Sequence, residues 1–282
     1  MTPSGDSVAA GWLARLERFD AVGSTNDVVA DWLRAGTPEV CVAIADEQTS
    51  GRGRSGRTWT APPGASLLCS IGFRPTWLAP EHAWRLGAIV SLAMADAAEV
   101  SANLPSGSVR LKWPNDLVVV ADRSGLQPGD DEALPVRKLA GLLGETDGLG
   151  TADSRAVVGI GVNVDWPRAA FPAELAGSMT SLVELREGVD RDRLAEVFLA
   201  RLEPLVDDLR ARGSFPADAW RERQLTSGLQ VRLELPDGTT ESVRADDVDP
   251  DTGALLVRGV GTDHRRSVLV GEIRHLRFGG VV

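Results

Sequence analysis

Glycine and arginine alternate through Gly51-Arg52-Gly53-Arg54-Ser55-Gly56-Arg57, a stretch flanked by Gln48 and Trp59. Arginine offers a permanently charged planar fork that matches carboxylates and phosphates, and glycine lets backbone N–H groups approach a ligand. The combination suits a small anionic ligand held under a loop that closes on it. Gly51, Gly53 and Gly56 satisfy G-x-G-x-x-G, and Gly51, Gly56, Arg57 and Thr58 approach the P-loop with arginine in the lysine position. Both motifs need a helix to open directly afterwards. Thr58-Trp59-Thr60-Ala61-Pro62-Pro63-Gly64 is no such start, so neither motif applies. A solvated basic turn is the plain alternative, and the density of glycine argues against it.

Two further segments put ammonium groups in strand contexts. Lys112-Trp113-Pro114-Asn115-Asp116 sets a lysine, an amide and a carboxylate around a break between apolar runs. Proline cannot donate to a ladder, so a bulge or sharp corner is predicted there, re-aiming the polar side chains. Lys138 opens the run Lys138-Leu139-Ala140-Gly141-Leu142-Leu143-Gly144-Glu145, in which Gly141 permits close backbone approach. The plain readings are a surface hairpin with solvated Lys112 and Asp116, and a solvent-exposed Lys138. His82, His264 and His275 lack metal-ligand spacing. Trp12, Trp32, Trp84 and Trp220 read as packing residues, whereas Trp59 and Trp113 flank the cationic segments and are candidates to cover a ligand ring.

The elements that must hold these groups follow from periodicity. Val28, Val29, Trp32 and Leu33 predict a helix over 26–35, with Ser24 and Asp27 resembling a capping box and Gly36 as the stop. Strands are predicted at 40–45, 66–73, 109–112, 117–120, 138–145 and 156–164, forming a sheet largely covered on one face. A second helix is predicted over 81–100. A third begins near 190, and Pro204 within it is expected to kink it. Residues 121–136 read as an exposed loop. Beyond Thr226 the pattern changes to short strands and turns, including Pro236-Asp237-Gly238, so a body to about residue 224 precedes a small all-β barrel.

The chain has 282 residues, enough for one large or two smaller domains, and 40 acidic against 30 basic residues give a net charge of −10. That balance argues against generic nucleic-acid affinity, which lysine and arginine drive. The most apolar stretch, 86–95, is about half a bilayer span, and the N-terminus lacks the pattern of a secretory signal. Cys41 and Cys69 lie in apolar runs and read as reduced, inert thiols. A cytoplasmic protein with no membrane partner is expected.

Taken together, the segments resemble the biotin protein ligase family. The matching pieces are Ser24-Thr25-Asn26, GRGRSGRTW from Gly51, KWPNDL from Lys112, KLAGLLGE from Lys138 and GIGVNV from Gly159, in the family's order. The C-terminal segment, ending near Gly271-Glu272-Ile273, is similar to the family's SH3-like domain. The resemblance implies an α+β fold, a mixed β-sheet covered by helices, with a small C-terminal SH3-like β-barrel. It divides the chain into a flexible tail at 1–11, a catalytic biotin- and ATP-binding domain at 12–224 and the barrel at 225–282. Many bacterial members carry an N-terminal winged helix that binds DNA. With 23 residues before Ser24, the ligase-only class and no DNA partner are expected here.

The chemistry implied by the resemblance has two steps. Biotin's carboxylate attacks the α-phosphate of ATP, giving biotinyl-5′-adenylate, and a lysine of a biotin carboxyl carrier domain of acyl-CoA or pyruvate carboxylase then displaces AMP. Ser24, Thr25, Asn26, Gln48, Gly51, Arg52, Gly53, Arg54, Lys138 and Gly141 are expected to bind biotin. Arg54, Arg57, Trp59, Lys112, Asn115, Asp116 and Asn163 are expected at the nucleotide. Lys138, Arg54 and Asp116 are the catalytic candidates, Asp116 either accepting the amine's proton or helping hold Mg²⁺ that rides mainly on phosphates. Asn163 has a plain alternative, fixing a turn after its strand. A monomer or weak dimer is expected. The competing activities are a lipoate–protein ligase, which the GRGRSGRTW and KWPNDL pair disfavours, and a catalytically silent biotin sensor.

Overall fold

The structure, a computed structural model, describes residues 11–121, 135–261 and 264–277. The expectations for the tail at 1–10 and for the loop at 122–134 lie outside the described residues. The chain runs β1 (Arg15–Val22), α1 (Thr25–Arg34), β2 (Cys41–Gln48), β3 (Ser66–Phe73), α2 (Trp84–Ser101), β4 (Arg110–Lys112), β5 (Asp116–Val120), β6 (Val136–Asp147) and β7 (Arg155–Asn163). It continues through α3 (Leu182–Leu185), α4 (Arg191–Arg212) and α5 (Ala217–Glu222) to β8 (Gln230–Glu234), β9 (Thr240–Val248), β10 (Leu255–Gly259), β11 (Arg265–Val268) and β12 (Glu272–Arg277).

Strands β1 to β7 form one mixed sheet in the order β1-β2-β3-β7-β6-β5-β4, with β1 parallel to β2 across α1 and the other neighbours antiparallel. Alternation along the strands divides its two faces. Val42 and Ile44 of β2 join the main core under α2 and α4, with Leu67, Ile71, Ile89 and Phe198. Cys41 and Ala43 turn the other way, to Val29, Trp32 and Leu33 of α1. That second face is therefore covered only around β2, β3 and β7, and the part over β4, β5 and β6 is left for a cavity. The remaining strands form a small antiparallel sheet, β11-β10-β9-β8-β12. It is consistent with the expected SH3-like unit, but the expected barrel is not closed: no β11–β12 pairing occurs among the described residues.

Four details depart from the sequence reading. The first strand, β1, was not expected: Arg15, Glu17, Arg18 and Asp20 dilute its apolar signal, and β2 supplies the pairing that makes it a strand. Helix α2 begins at Trp84 because Pro80 opens a separate 3₁₀ turn over Pro80–His82. Ser24 occupies the N-cap of α1 but makes no side-chain capping bond. Asp27, its expected capping-box partner, is bound by Arg52 instead, because a bidentate charge-assisted pair outweighs a single capping bond. Helix α4 runs as one element through Pro204, from the Asp190 cap to Gly213 at φ 62°.

The two sheets are tied where the catalytic candidates lie. Leu111 N–H donates to Arg223 O at 2.8 Å and its carbonyl accepts from Leu225 N–H at 2.7 Å. Pro114 makes the predicted corner between β4 and β5, and the Trp113 indole N–H donates to Gly253 O at 3.1 Å.

Candidate functional site

A cavity of about 300 Å³ opens on the α1 face of the large sheet. Its floor is backbone. Gly141 and Gly161 face each other across β6 and β7, and a Cβ on Gly161 would lie 2.5 Å from Trp59 Cε2, one on Gly141 3.0 Å from Trp59 Cζ3. The indole thus rests directly on the main chain. Its Nε1 is buried with no hydrogen-bond partner among the described residues, an orphan donor at the wall of the cavity. One step along β7, a Cβ on Gly159 would lie 2.1 Å from Asn26 Oδ1, so only glycine admits the start of α1 this close.

The α1 end of the cavity is neutral and hydrogen-bonding. Gln48 Oε1 accepts from Thr25 N–H at 2.8 Å and from the Thr25 hydroxyl at 3.0 Å. The buried Ser70 hydroxyl lies 2.7 Å from Thr25 Oγ1 and 2.6 Å from Asn26 Oδ1. Asn26 Nδ2 donates to Glu145 Oε2 at 2.7 Å, which fixes the amide's orientation. Ser24, without a capping bond, also lines this end.

The opposite end, over β4 to β6, is charged. Lys138 Nζ lies 2.6 Å from Asp116 Oδ1, and Lys112 Nζ 4.0 Å from Asp116 Oδ2. Lys112 and Asp116 are register partners across the Pro114 corner, and Asp116 is the partner of Gly141. Strict alternation would turn Lys138 away from Gly141, because the two are three residues apart. The register passes from Leu117↔Ala140 to Val118↔Lys138, so Leu139 is an extra residue in β6. This bulge returns Lys138 to the cavity face, 5.4 Å from the Trp59 ring centre.

The glycine–arginine segment is a hairpin rather than a free turn. Trp59 N–H donates to Gly51 O at 3.0 Å, Arg52 bridges Thr58, and Gly53 N–H donates to Arg57 O at 2.7 Å. Ser55 and Gly56 turn the tip at φ 56° and 71°. Arg54 donates to Asn115 Oδ1 at 3.3 Å, and Asn115 Nδ2 donates to Leu142 O at 2.6 Å. The Arg52 guanidinium binds both oxygens of Asp27, at 2.8 and 2.7 Å, and reaches Glu145 at 3.2 Å. The Arg52 hydrogen bond holds the Asp27 carboxyl below the usual carboxylate range, and the same bond raises the arginine further.

Fourteen of the sixteen residues expected to bind biotin or the nucleotide or to act in catalysis line this one cavity: Ser24, Thr25, Asn26, Gln48, Arg52, Gly53, Arg54, Arg57, Trp59, Lys112, Asn115, Asp116, Lys138 and Gly141. Gly51 does not line it. A Cβ there would lie 2.4 Å from Trp59 O, so its place is the neck of the hairpin. Asn163 is also set apart, fully buried, donating to Thr180 O at 3.0 Å beside Ser66. Asn163 thus lies outside the cavity lining, tying the end of β7 to the main chain at Thr180. Trp113 is 4 % exposed and bonded to Gly253, a backing wall rather than an open cover.

Other residues were missed. Ser70 was hidden inside a buried strand, where a lone polar residue in an apolar run is the available signal. Glu145 closes the KLAGLLGE run, and Asp27 was assigned to the cap. Leu235, Pro236, Gly238, Val270 and Gly271 bring two loops of the small sheet to the cavity, which no local pattern foretells. Among the described residues, no group of three or more His, Cys, Asp or Glu is arranged to hold a metal ion, and no helix is long and apolar enough to cross a membrane.

Comparison with known proteins gives this cavity a context. The model of the biotin/lipoate A/B protein ligase family matches residues 19–163. A biotin–[acetyl-CoA-carboxylase] ligase of Mycobacterium tuberculosis is 34% identical, over 95% of this chain and 91% of its own length. A biotin protein ligase of Leishmania major, solved with biotinyl-5-AMP, superposes with a TM-score of 0.59 at 25% identity, covering 90% of this chain and 98% of that one. The Aquifex aeolicus biotin protein ligase, solved with biotin and ATP, shares the fold with a TM-score of 0.71 at 24% identity, over 94% and 99% of the two chains. With more than half of its length matched by the family model and a relative of this identity along nearly all of it, the chain belongs to the biotin/lipoate A/B protein ligase family.

Proposed function

We propose that the protein is an ATP-dependent biotin protein ligase, forming biotinyl-5′-adenylate and passing the biotinyl group to a lysine of a biotin carboxyl carrier domain, of acyl-CoA or pyruvate carboxylase. The observation that carries this reading is the division of one cavity into a neutral end at Thr25, Asn26 and Gln48 and a charged end at Lys112, Asp116 and Lys138. A bicyclic ureido ring needs the first, and a carboxylate meeting a phosphate needs the second. Relatives named as biotin ligases support the choice of biotin over lipoate.

In the first step a carboxylate oxygen bonds to the α-phosphorus and the bond to pyrophosphate breaks. Lys138, turned from Asp116 to the reacting carboxylate, stabilises the charge that the two anions bring together. Arg57 and Lys112 receive the triphosphate, Arg54 and Asn115 close the nucleotide end, and Trp59 covers a ring. Asp116 is one carboxylate at that end, which fits a magnesium ion carried mainly on phosphates, since Mg²⁺ combines one or two carboxylates with phosphate oxygens. Such an ion would offset phosphate charge.

In the second step the carrier amine bonds to the acyl carbon and the acyl–phosphate bond breaks, releasing AMP. The amine must first lose a proton, because a free lysine has a pKa of about 10.4. Asp116, freed when Lys138 moves to substrate, is the proposed acceptor. We assign catalysis to residues 12–224 and an accessory role to 225–282. No DNA partner is proposed, in keeping with a net charge of −10.

The test is to incubate the protein with ATP, Mg²⁺ and a carrier domain, with biotin or lipoate, and to measure the intact mass of the carrier. One biotinyl group should be added, only with ATP. Transfer of lipoate instead, or of neither, would overturn the reading.

A further inference from the structure

The Arg52 guanidinium joins the glycine–arginine hairpin to two other elements, α1 and β6. It projects from the glycine–arginine hairpin, binds Asp27 of α1 through two hydrogen bonds of 2.8 and 2.7 Å, and reaches both Glu145 oxygens of β6 at 3.2 and 3.3 Å. Glu145 also accepts from Asn26 Nδ2 at 2.7 Å, so the same carboxylate touches the hairpin and the neutral end of the cavity. Arg52 was expected to meet the ligand. With its charge engaged by two carboxylates, its side chain is a fastening.

We propose that Asp27 and Glu145 are positioning residues, a two-carboxylate clasp that keeps the hairpin shut over the cavity and so retains the acyl-adenylate until the acceptor amine arrives; the retention part rests on the ligase reading. An acyl-adenylate is a mixed anhydride, open to water, which would add at the acyl carbon and expel AMP with no product made. A closed lid excludes that water. The clasp lies at the rim, with side chains 38 % exposed at Arg52, 56 % at Asp27 and 41 % at Glu145. Isolated exposed ion pairs contribute little, but bidentate geometry within a network is the arrangement in which they count. A rim position also lets the clasp open for ligand entry and release.

The test compares wild type with Asp27→Asn, Glu145→Gln and the charge-retaining Asp27→Glu. Trypsin cleavage within the hairpin of the ligand-free protein, at Arg54 or Arg57, should be about fivefold faster in the two neutral variants and near wild type in Asp27→Glu. AMP release without carrier, measured after a single round of adenylate formation, should rise by a similar factor, while pyrophosphate exchange by Asp27→Asn, whose carboxylate meets Arg52 and does not line the cavity, stays within about twofold. Equal hairpin cleavage in wild type and neutral variants would overturn the clasp whatever chemistry the protein performs. Protection in the wild type with no adenylate formed would support the clasp and defeat the ligase reading. Faster cleavage with unchanged AMP release, in an enzyme that does form adenylate, would overturn the retention role.

Discussion

Lys138 Nζ and Asp116 Oδ1 are 2.6 Å apart, and Lys112 approaches the second Asp116 oxygen at 4.0 Å, so one carboxylate is shared between two ammonium groups. On the proposed mechanism Lys138 leaves this pair for the reacting carboxylate. Lys138→Ala should lower adenylate formation by about a hundredfold or more in pyrophosphate exchange. Its melting temperature should stay close to wild type, because the side chain is 27 % exposed. Normal turnover by the folded variant would remove Lys138 from the mechanism.

The seat of Trp59 gives a second test. A methyl on Gly161 would lie 2.5 Å from the indole, whereas one on Gly144, in the same sheet, meets nothing within 4 Å. Gly161→Ala should therefore displace the ring, shift the tryptophan fluorescence and raise the KM for ATP by about tenfold or more. Gly144→Ala serves as the control. An identical spectrum and KM in both variants would mean that Trp59 does not rest on this floor.

Stability should depend on a buried ion pair outside the cavity lining. Arg223 donates to Glu99 at 2.9 and 3.0 Å, with their side chains 13 % and 5 % exposed, and Glu99 also accepts from Val109 N–H at 2.8 Å. Burial opposes the Arg223 charge, but Glu99 and Asp96 overcome it and raise its pKa. Removing Glu99 leaves Arg223 with only the more exposed Asp96 as its acidic partner and takes the acceptor from the buried Val109 N–H. Glu99→Ala should cost about 3–5 kcal/mol in urea unfolding, and a loss below about 1 kcal/mol would show the pair to be dispensable.

Alkaline stability should follow the thiols. Burial pushes Cys69 up to about 12 and Cys41 up to about 11, from 9.0. Above pH 9 the unfolded chain releases protons that the folded chain retains. The thiols' contribution is therefore whole below that pH and declines as pH rises through the folded values, by about 1.4 kcal/mol per pH unit for each. A Cys41→Ala, Cys69→Ala variant should lose that slope in unfolding curves taken at successive pH values. Parallel slopes in variant and wild type would refute the assignment.

Most of the large sheet was legible because β2, β3, β5 and β7 bury nearly continuous apolar runs. The site's chemistry was legible because glycine, arginine and lysine are unusual in such runs. What the sequence did not disclose depends on pairing. The bulge at Leu139 exists only in the register of β5 against β6, and without it Lys138 would face the wrong way. The Arg52 clasp joins residues 25 and 93 positions apart. The place of Asn163 is not legible, because a buried amide that bonds the main chain and one that meets a ligand leave the same trace in a sequence.

The bare glycine floor beneath Trp59 has a lasting effect on how this protein can change. A surface made of side chains can be retuned by exchanging one residue for a slightly larger or smaller one. A surface already reduced to peptide planes has no smaller option, and every exchange thickens it. The gap there is consequently a fixed gauge, and any drift in which compounds are accepted has to be recorded in the roof.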